Sequence, residues 1–240
     1  MQINLFDGLN KVIFFVCMMC SIAAFAADGE SIMIHGGENP AAMPCISCHA
    51  PDGKGMPSAG FPRLSGLPAA YIEKQLYDFR LGSRQNPVMQ PIAKALTDSE
   101  IIAVANAYAK RPKINVLKTP TTPPIPGSGG WIAQRGEWSK NIPECTLCHG
   151  PEGVGVGNAF PPLAGQPTLY LESQLLAWKG EVASAKNKKV SPPTRHNDPN
   201  GLMQHIAASL TDTQIKAVSE YFGSLNDSTE AFDESQHRLR

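Results

Sequence analysis

Two five-residue stretches decide the reading: Cys45-Ile46-Ser47-Cys48-His49 and Cys145-Thr146-Leu147-Cys148-His149. Each is a Cys-x-x-Cys-His motif, the attachment signature of c-type haem. The chemistry explains the spacing. Two thiols one backbone turn apart can add across the two vinyl groups of a haem, and the adjacent histidine then offers its imidazole to the iron. Two other chemistries use paired cysteines. A four-cysteine zinc site places its pairs about 15–20 residues apart, whereas Cys48 and Cys145 are separated by 97 positions. A thioredoxin-like redox pair belongs in a βαβ context. No strand pattern appears, and a redox pair would leave both histidines unexplained.

The sequence around each motif also repeats, so the chain reads as one module written twice. Cys48 opens CHAPDGKG and Cys148 opens CHGPEGVG; Phe61 opens FPRLSGLPAAYIEKQL and Phe160 opens FPPLAGQPTLYLESQL; Asn86 opens NPVMQPIAKALTDSEI and Asn200 opens NGLMQHIAASLTDTQI. The offset between copies is 100 at the cysteines, 99 at the phenylalanines and 114 at the asparagines. The last jump marks an insertion near Lys186 to Pro199 in the second copy. Its Lys186, Lys188, Lys189, Arg195 and His196 offer a steering surface for an acidic partner, against the simpler expectation of a solvated loop.

The expected organisation is a signal peptide over 1–26, a first module over 27–115, a Pro/Gly-rich linker over 116–130, a second module over 131–226 and a polar tail over 227–240. The run from Val12 to Ala26 is apolar, too short for an ordinary span, and ends in Ala24-Phe25-Ala26, a small-x-small cleavage pattern. Export to the periplasm with cleavage near Ala26 is therefore expected, with an uncleaved membrane anchor as the alternative. Cleavage removes Cys17 and Cys20 and leaves only the four motif cysteines. An oxidising compartment would put free thiols at risk, so something should occupy those sulfurs.

The fold class expected is all-α. Thr97-Asp98-Ser99-Glu100 and Thr211-Asp212-Thr213-Gln214 are capping boxes. Each opens an amphipathic helix, with Ile101, Val104 and Tyr108 on one face and Ile215, Val218 and Phe222 in the repeat. Pro68 and Pro167 suit the first turn of a second helix, and shorter helices are expected around Glu30–His35 and Trp131–Trp138. Composition agrees with a folded, non-nucleic-acid protein: 42% of residues are hydrophobic, and 21 Lys+Arg balance 21 Asp+Glu with no long basic block.

Iron ligation follows from the repeat. Met203 is the sole methionine of the second module, and it aligns with Met89 in a loop-like Asn-x-x-Met context before each capping box. The expected axial pairs are His49 with Met89 and His149 with Met203. His/Met ligation raises the reduction potential and closes the iron to small molecules, which suits a one-electron carrier. An enzyme, such as a haem dehydrogenase acting on a sulfur compound or a peroxidase, needs an open or unusually ligated iron.

With these residues in view, the chain resembles class I cytochromes c, and its tandem arrangement is similar to the di-haem cytochrome c4 family. The resemblance implies two class I domains, each wrapped around one covalent haem c held by Cys45 and Cys48 or by Cys145 and Cys148. It implies that Pro62 and Pro161 carbonyls orient the proximal imidazoles, and that Tyr71 and Tyr170 lie near the haems, core packing being their other reading. The function implied is an exported carrier between respiratory redox partners: a quinol–cytochrome c oxidoreductase, a copper protein or a terminal oxidase. The alternative is a haem-bearing subunit of a larger oxidoreductase complex, with peripheral membrane association through that complex.

Overall fold

The computed structural model describes residues 27–116, 123–184 and 194–225. The signal-peptide, tail and Lys186–Lys189 expectations, and the Lys118–Thr122 part of the linker, lie outside these residues. Among the described residues there are ten α-helices and no strand beyond four isolated bridges. None of these helices is long and apolar enough to cross a membrane.

The first module holds α1 (Gly29–His35), α2 (Ile46–His49), α3 (Ala69–Leu81), α4 (Met89–Ala95) and α5 (Asp98–Ala109). The second repeats the order with α6 (Gly129–Arg135), α7 (Cys145–His149), α8 (Thr168–Ser184), α9 (Leu202–Ser209) and α10 (Asp212–Gly223). In each, the first and last helices cross and the long middle helix packs on both the last helix and the methionine-bearing one. The crossing needs glycine. A Cβ at Gly29 would strike the Ala103 carbonyl, and one at Gly129 the Ala217 carbonyl. Both α5 and α10 begin with a complete capping box, Thr97 with Glu100 and Thr211 with Gln214. Each thus satisfies two backbone donors that a helix start leaves open.

Each module has its own core. Met33, Ile101, Val104 and Tyr108 centre the first, and Ile132, Ile142, Ile215 and Phe222 the second. Ile114, near the end of the first module, and Val116, the first residue of the expected linker, pack against the second core.

Two sequence expectations are revised. Met89 and Met203 do not sit in loops: each belongs to the first turn of a short helix, α4 or α9. Pro91 does not prevent this, because its missing N–H falls in the first turn, where no intrahelical acceptor is reached anyway. The inserted segment is also not simply solvated. Thr194 and Arg195 are buried at its end. They form an antiparallel bridge with Arg84, with Gln85 N–H donating to Thr194 O (2.9 Å) and His196 N–H to Ser83 O (2.7 Å). The bridge pairs Arg84 with Arg195, so the repeat runs Ser83-Arg84-Gln85-Asn86 against Thr194-Arg195-His196-Asn197. The second module therefore has three extra residues between this arginine and its methionine.

Candidate haem sites and the interface between them

The cysteine motifs form single helical turns. Cys48 N–H and His49 N–H both donate to Cys45 O, at 3.2 and 2.9 Å. That turn places residues three and four apart, here two cysteines and a histidine, on one side of the helix. Ala50 and Gly150 then break the helix with positive φ, 64° and 78°. Burial pushes the Cys45 thiol up to about 11 and the Cys145 thiol up to about 12. Neither is a reactive thiolate near neutrality. Among the described residues no three His, Cys, Asp or Glu side chains come together as a metal cluster, so the two cysteine pairs do not assemble the four-sulfur zinc arrangement.

His49 Nδ1 donates to the Pro62 carbonyl at 3.0 Å, and His149 Nδ1 to the Pro161 carbonyl at 2.8 Å. Because a carbonyl only accepts, the proton sits on Nδ1 and leaves Nε2 as the free lone pair. Both imidazoles are buried, and burial lowers their pKa against the opposing pull of the proline carbonyl. They are thus held neutral, the form in which imidazole ligates a metal. Phe61 and Phe160 flank them, with ring centroids 6.5 and 6.1 Å from His49 and His149. Met89 is half-buried and packs on the same cluster as Cys45 and Ile46. Met203 is also half-buried, while His205 beside it is exposed.

The turn at Met89 is held by Asn86, whose Oδ1 accepts from Val88 N–H and Met89 N–H, both at 2.9 Å. Asn200, which stands at the same distance before its methionine, does not do this; it adopts φ 62°. Asp198 takes over, with Oδ2 accepting from Gln204 N–H at 3.0 Å.

Tyr71 and Tyr170 pack partly against their own cores and meet where the modules face each other, each influencing the other's hydroxyl. Around them lies a cluster with near two-fold symmetry. Arg84 donates to Gln75 Oε1 (2.9 Å) in its own module and to Tyr170 Oη (3.0 Å) and Gln174 Oε1 (2.7 Å) in the other. Arg195 donates to Gln174 Oε1 (2.9 Å) in its own module and to Gln75 Oε1 (3.1 Å) in the other. Arg84 stacks on Phe79 at 4.4 Å and Arg195 on Trp178 at 3.8 Å. Matching residues thus make matching bonds, the pattern of an isologous dimer interface fused into one chain. Neither the arginine pair nor this contact is readable from the motifs; the sequence signal is that Tyr71 with Gln75 recurs in register as Tyr170 with Gln174.

Both arginines are buried, 6% and 4% exposed, yet among the described residues neither forms an ion pair. Buried cations call for anions. Trp178 Nε1, in the second module, is a buried donor without an acceptor among the described residues. The donor set therefore fits a haem c in each module: two thiols for the vinyls, a neutral imidazole and a thioether for the iron, and buried cations and an indole N–H suited to propionate carboxylates.

Fold and sites together define the class: two class I c-type cytochrome modules in one polypeptide. The cytochrome c family model matches residues 36–106 and 140–226. The chain is 49% identical to a thiosulfate dehydrogenase electron acceptor of Stutzerimonas stutzeri, over 87% of this chain and 91% of that one. It is 36% identical to cytochrome c4 of Thiocapsa roseopersicina, over 79% of this chain and 91% of that one. It superposes on the thiosulfate dehydrogenase TsdBA of Marichromatium purpuratum with a TM-score of 0.64 and 33% identity, covering 82% of this chain and 39% of that chain. The chain belongs to the cytochrome c family, as a di-haem member of the cytochrome c4 type, with one covalently bound haem c per module. It is an electron carrier rather than an enzyme, as these cytochrome c4 and electron-acceptor relatives are.

Proposed function

We propose that this protein is the electron acceptor of a thiosulfate dehydrogenase, and that it works in the periplasm after cleavage near Ala26. The observation that carries the reading is the near full-length, 49% identical relative named as such an acceptor. The likeness to TsdBA supports it. It favours the partner-subunit alternative over a general shuttle among a quinol–cytochrome c oxidoreductase, copper proteins and a terminal oxidase.

In this reading Cys45 and Cys48 tether one haem and Cys145 and Cys148 the other. His49 with Met89, and His149 with Met203, are the axial ligands. Each bound haem supplies a one-electron Fe(III)/Fe(II) couple. The chain's own residues do the rest. The Pro62 and Pro161 carbonyls fix which imidazole nitrogen is free, a second-shell control of ligand orientation and basicity. Thioether ligands favour Fe(II) and keep the potential high. The Gln75–Arg84–Gln174–Arg195 cluster holds the modules in one arrangement. A dehydrogenase removes electrons in pairs, and two one-electron sites in one chain take up one pair.

The test is stopped-flow absorbance. The oxidised holoprotein is mixed with thiosulfate and a catalytic amount of thiosulfate dehydrogenase. Rapid reduction of both haems is expected, with none when the dehydrogenase is omitted. Reduction by ascorbate but not by thiosulfate with the dehydrogenase would overturn the assignment. Proteolysis-free extraction from the periplasmic fraction, with a mature N-terminus near Ala27, checks the location.

A further inference from the structure

The peptide group between Pro62 and Arg63 is engaged at both ends. Its carbonyl accepts from His49 Nδ1–H at 3.0 Å. Its N–H, on Arg63, donates at 3.0 Å to Oε1 of Gln166, a residue of the other module. Gln166 Nε2 returns a bond of 2.9 Å to the Arg63 carbonyl. Gln166 and Arg63 are each 4% exposed. The Arg63 side chain holds the same segment from the other side, with Nε donating to Ser65 O (3.3 Å) and Nη2 to Pro112 O (3.1 Å).

The second module is built differently at the matching place. His149 Nδ1–H donates to Pro161 O at 2.8 Å, but the next residue is Pro162. The amide between two prolines has no N–H to offer. The residue that matches Gln166 in the first repeat is Leu67, whose side chain neither donates nor accepts. The lever exists on one side only.

We propose that Gln166 is a positioning residue for His49, acting from the second module through the Pro62–Arg63 peptide group. Hydrogen bonds in a chain polarise one another. When the Arg63 N–H donates to Gln166, the Pro62 carbonyl becomes a stronger acceptor. It then draws the Nδ1 proton of His49 and gives the imidazole more anionic character, raising its basicity as a ligand. A more electron-rich ligand favours Fe(III) over Fe(II). Gln166 therefore holds the first haem at a lower potential than that module would reach alone. The second haem lacks this control. Docking of the modules tunes one haem and spares the other. The inference rests on the reading of His49 as an axial ligand.

The test uses the holoprotein. Gln166→Met keeps side-chain length and removes both polar groups. A redox titration resolved by module is combined with 1H NMR of the His49 Nδ1–H in the reduced state. The first haem's potential is expected to rise, the second's to stay, and the His49 Nδ1–H to move upfield and exchange faster with solvent. Gln166→Glu keeps an acceptor for Arg63 N–H and is expected to move the first potential the opposite way, downward. A merely loosened interface would move both variants in the same direction. The inference is overturned if Gln166→Met leaves the first potential and the Nδ1–H signal unmoved, or if both haems shift alike. Absence of any haem-shifted His49 Nδ1–H signal in the unsubstituted protein overturns the ligand assignment, and this inference with it. A signal that is present but unresponsive overturns this inference alone.

Discussion

Replacing Gln75 with alanine tests the fused-dimer interface at its most connected atom. Gln75 Oε1 accepts from Arg84 Nη1 (2.9 Å), Arg195 Nη2 (3.1 Å) and Asn197 Nδ2 (2.9 Å). Two of these donors are charged and two come from the other module. A hydrogen bond to a charged group contributes about 1.5–3 kcal/mol and a neutral one about 0.5–1.5 kcal/mol, so the gross loss is about 3.5–7.5 kcal/mol on that scale. Arg84 Nη1 and Arg195 Nη2 lose this acceptor, but each side chain keeps other bonds. Arg84 keeps Tyr170 and Gln174, Arg195 keeps Gln174, and Asn197 keeps Asp78. Roughly half the gross value, about 2–4 kcal/mol, is the expected cost of Gln75→Ala. At about 2–4 °C per kcal/mol for a chain of this size, the melting temperature falls by roughly 4–16 °C. Because the lost bonds cross the interface, the single thermal transition is expected to broaden or split as the modules uncouple. The assay is calorimetry of the oxidised holoprotein with circular dichroism alongside. Gln174→Ala, which removes bonds to both arginines but not to Asn197, should cost somewhat less. A Gln75→Ala protein that melts within about 0.5 kcal/mol of the parent, the range of ordinary surface substitutions, in one unchanged transition would refute the reasoning.

Three further outcomes are expected. Ala50 has φ 64° and ψ 156°, a region suited to glycine alone and costing about 1–3 kcal/mol, whereas Gly150 fills the matching place. Ala50→Gly should therefore raise stability by about 1 kcal/mol after the entropy cost of glycine, measurable by denaturant unfolding. Burial pushes the Glu100 carboxyl up, but bonds from the Thr97 and Glu38 N–H groups and the Thr97 hydroxyl outweigh it and hold it below its ordinary 4.5. A depressed folded-state pKa means that the unfolded state binds the proton more readily. The stability from Glu100 is thus present above pH 4.5 and lost as pH falls below it, and the gap between the parent and Glu100→Gln in unfolding free energy should close over that acid range. Finally, the mass of the mature protein should exceed that of the polypeptide by two haems, and Cys145→Ala with Cys148→Ala should remove one of the two; retention of both would contradict the tether assignment.

Much of this architecture was legible because it is local. A capping box, an apolar stripe and a Cys-x-x-Cys-His turn are each set by neighbours within about four residues, so α5, α10 and the two motif turns could be placed from sequence alone. The methionines were located as residues but not as helix starts. The pattern around Pro91 reads as a break unless the proline falls in a first turn. The interface left no such trace. Arg195 reaches Gln75 across 120 positions, and nothing adjacent to Arg195 distinguishes a buried arginine from a solvated one. Its basic neighbours pointed toward a solvated loop, while stacking on Trp178 and the bridge to Arg84 bury it instead. Likewise the pairing of Gln166 with Arg63 is invisible in either repeat taken singly, since each belongs to a different one.

The two methionine turns lead to a last prediction, because they are held unequally. On the proposed ligation, the backbone of Met89 must stay fixed for its thioether to remain on the iron. Asn86 fixes it through paired bonds to Val88 and Met89, and the Asn86 N–H in turn donates to Gln90 Oε1 at 3.2 Å. This is a reciprocal start of the kind that stabilises a helix by about 1 kcal/mol. At the Met203 turn, Asp198 Oδ2 accepts from the N–H of the residue after the methionine, Gln204, and no described side chain accepts from Met203 N–H itself. Asn86→Ala should therefore weaken the Met89-bound state by about 1 kcal/mol. Since about 1.4 kcal/mol is tenfold, an external ligand competing for that site should bind roughly fivefold more tightly. Asp198→Ala acts on the other module and should produce a smaller gain there. Imidazole titration of the oxidised protein reads both, by loss of the weak near-infrared band of Met–Fe(III) coordination. Unchanged imidazole affinity in Asn86→Ala, with the band intact, would show that the turn does not govern the ligand. An equal gain at both haems would place the effect in the interface rather than in the Met89 turn.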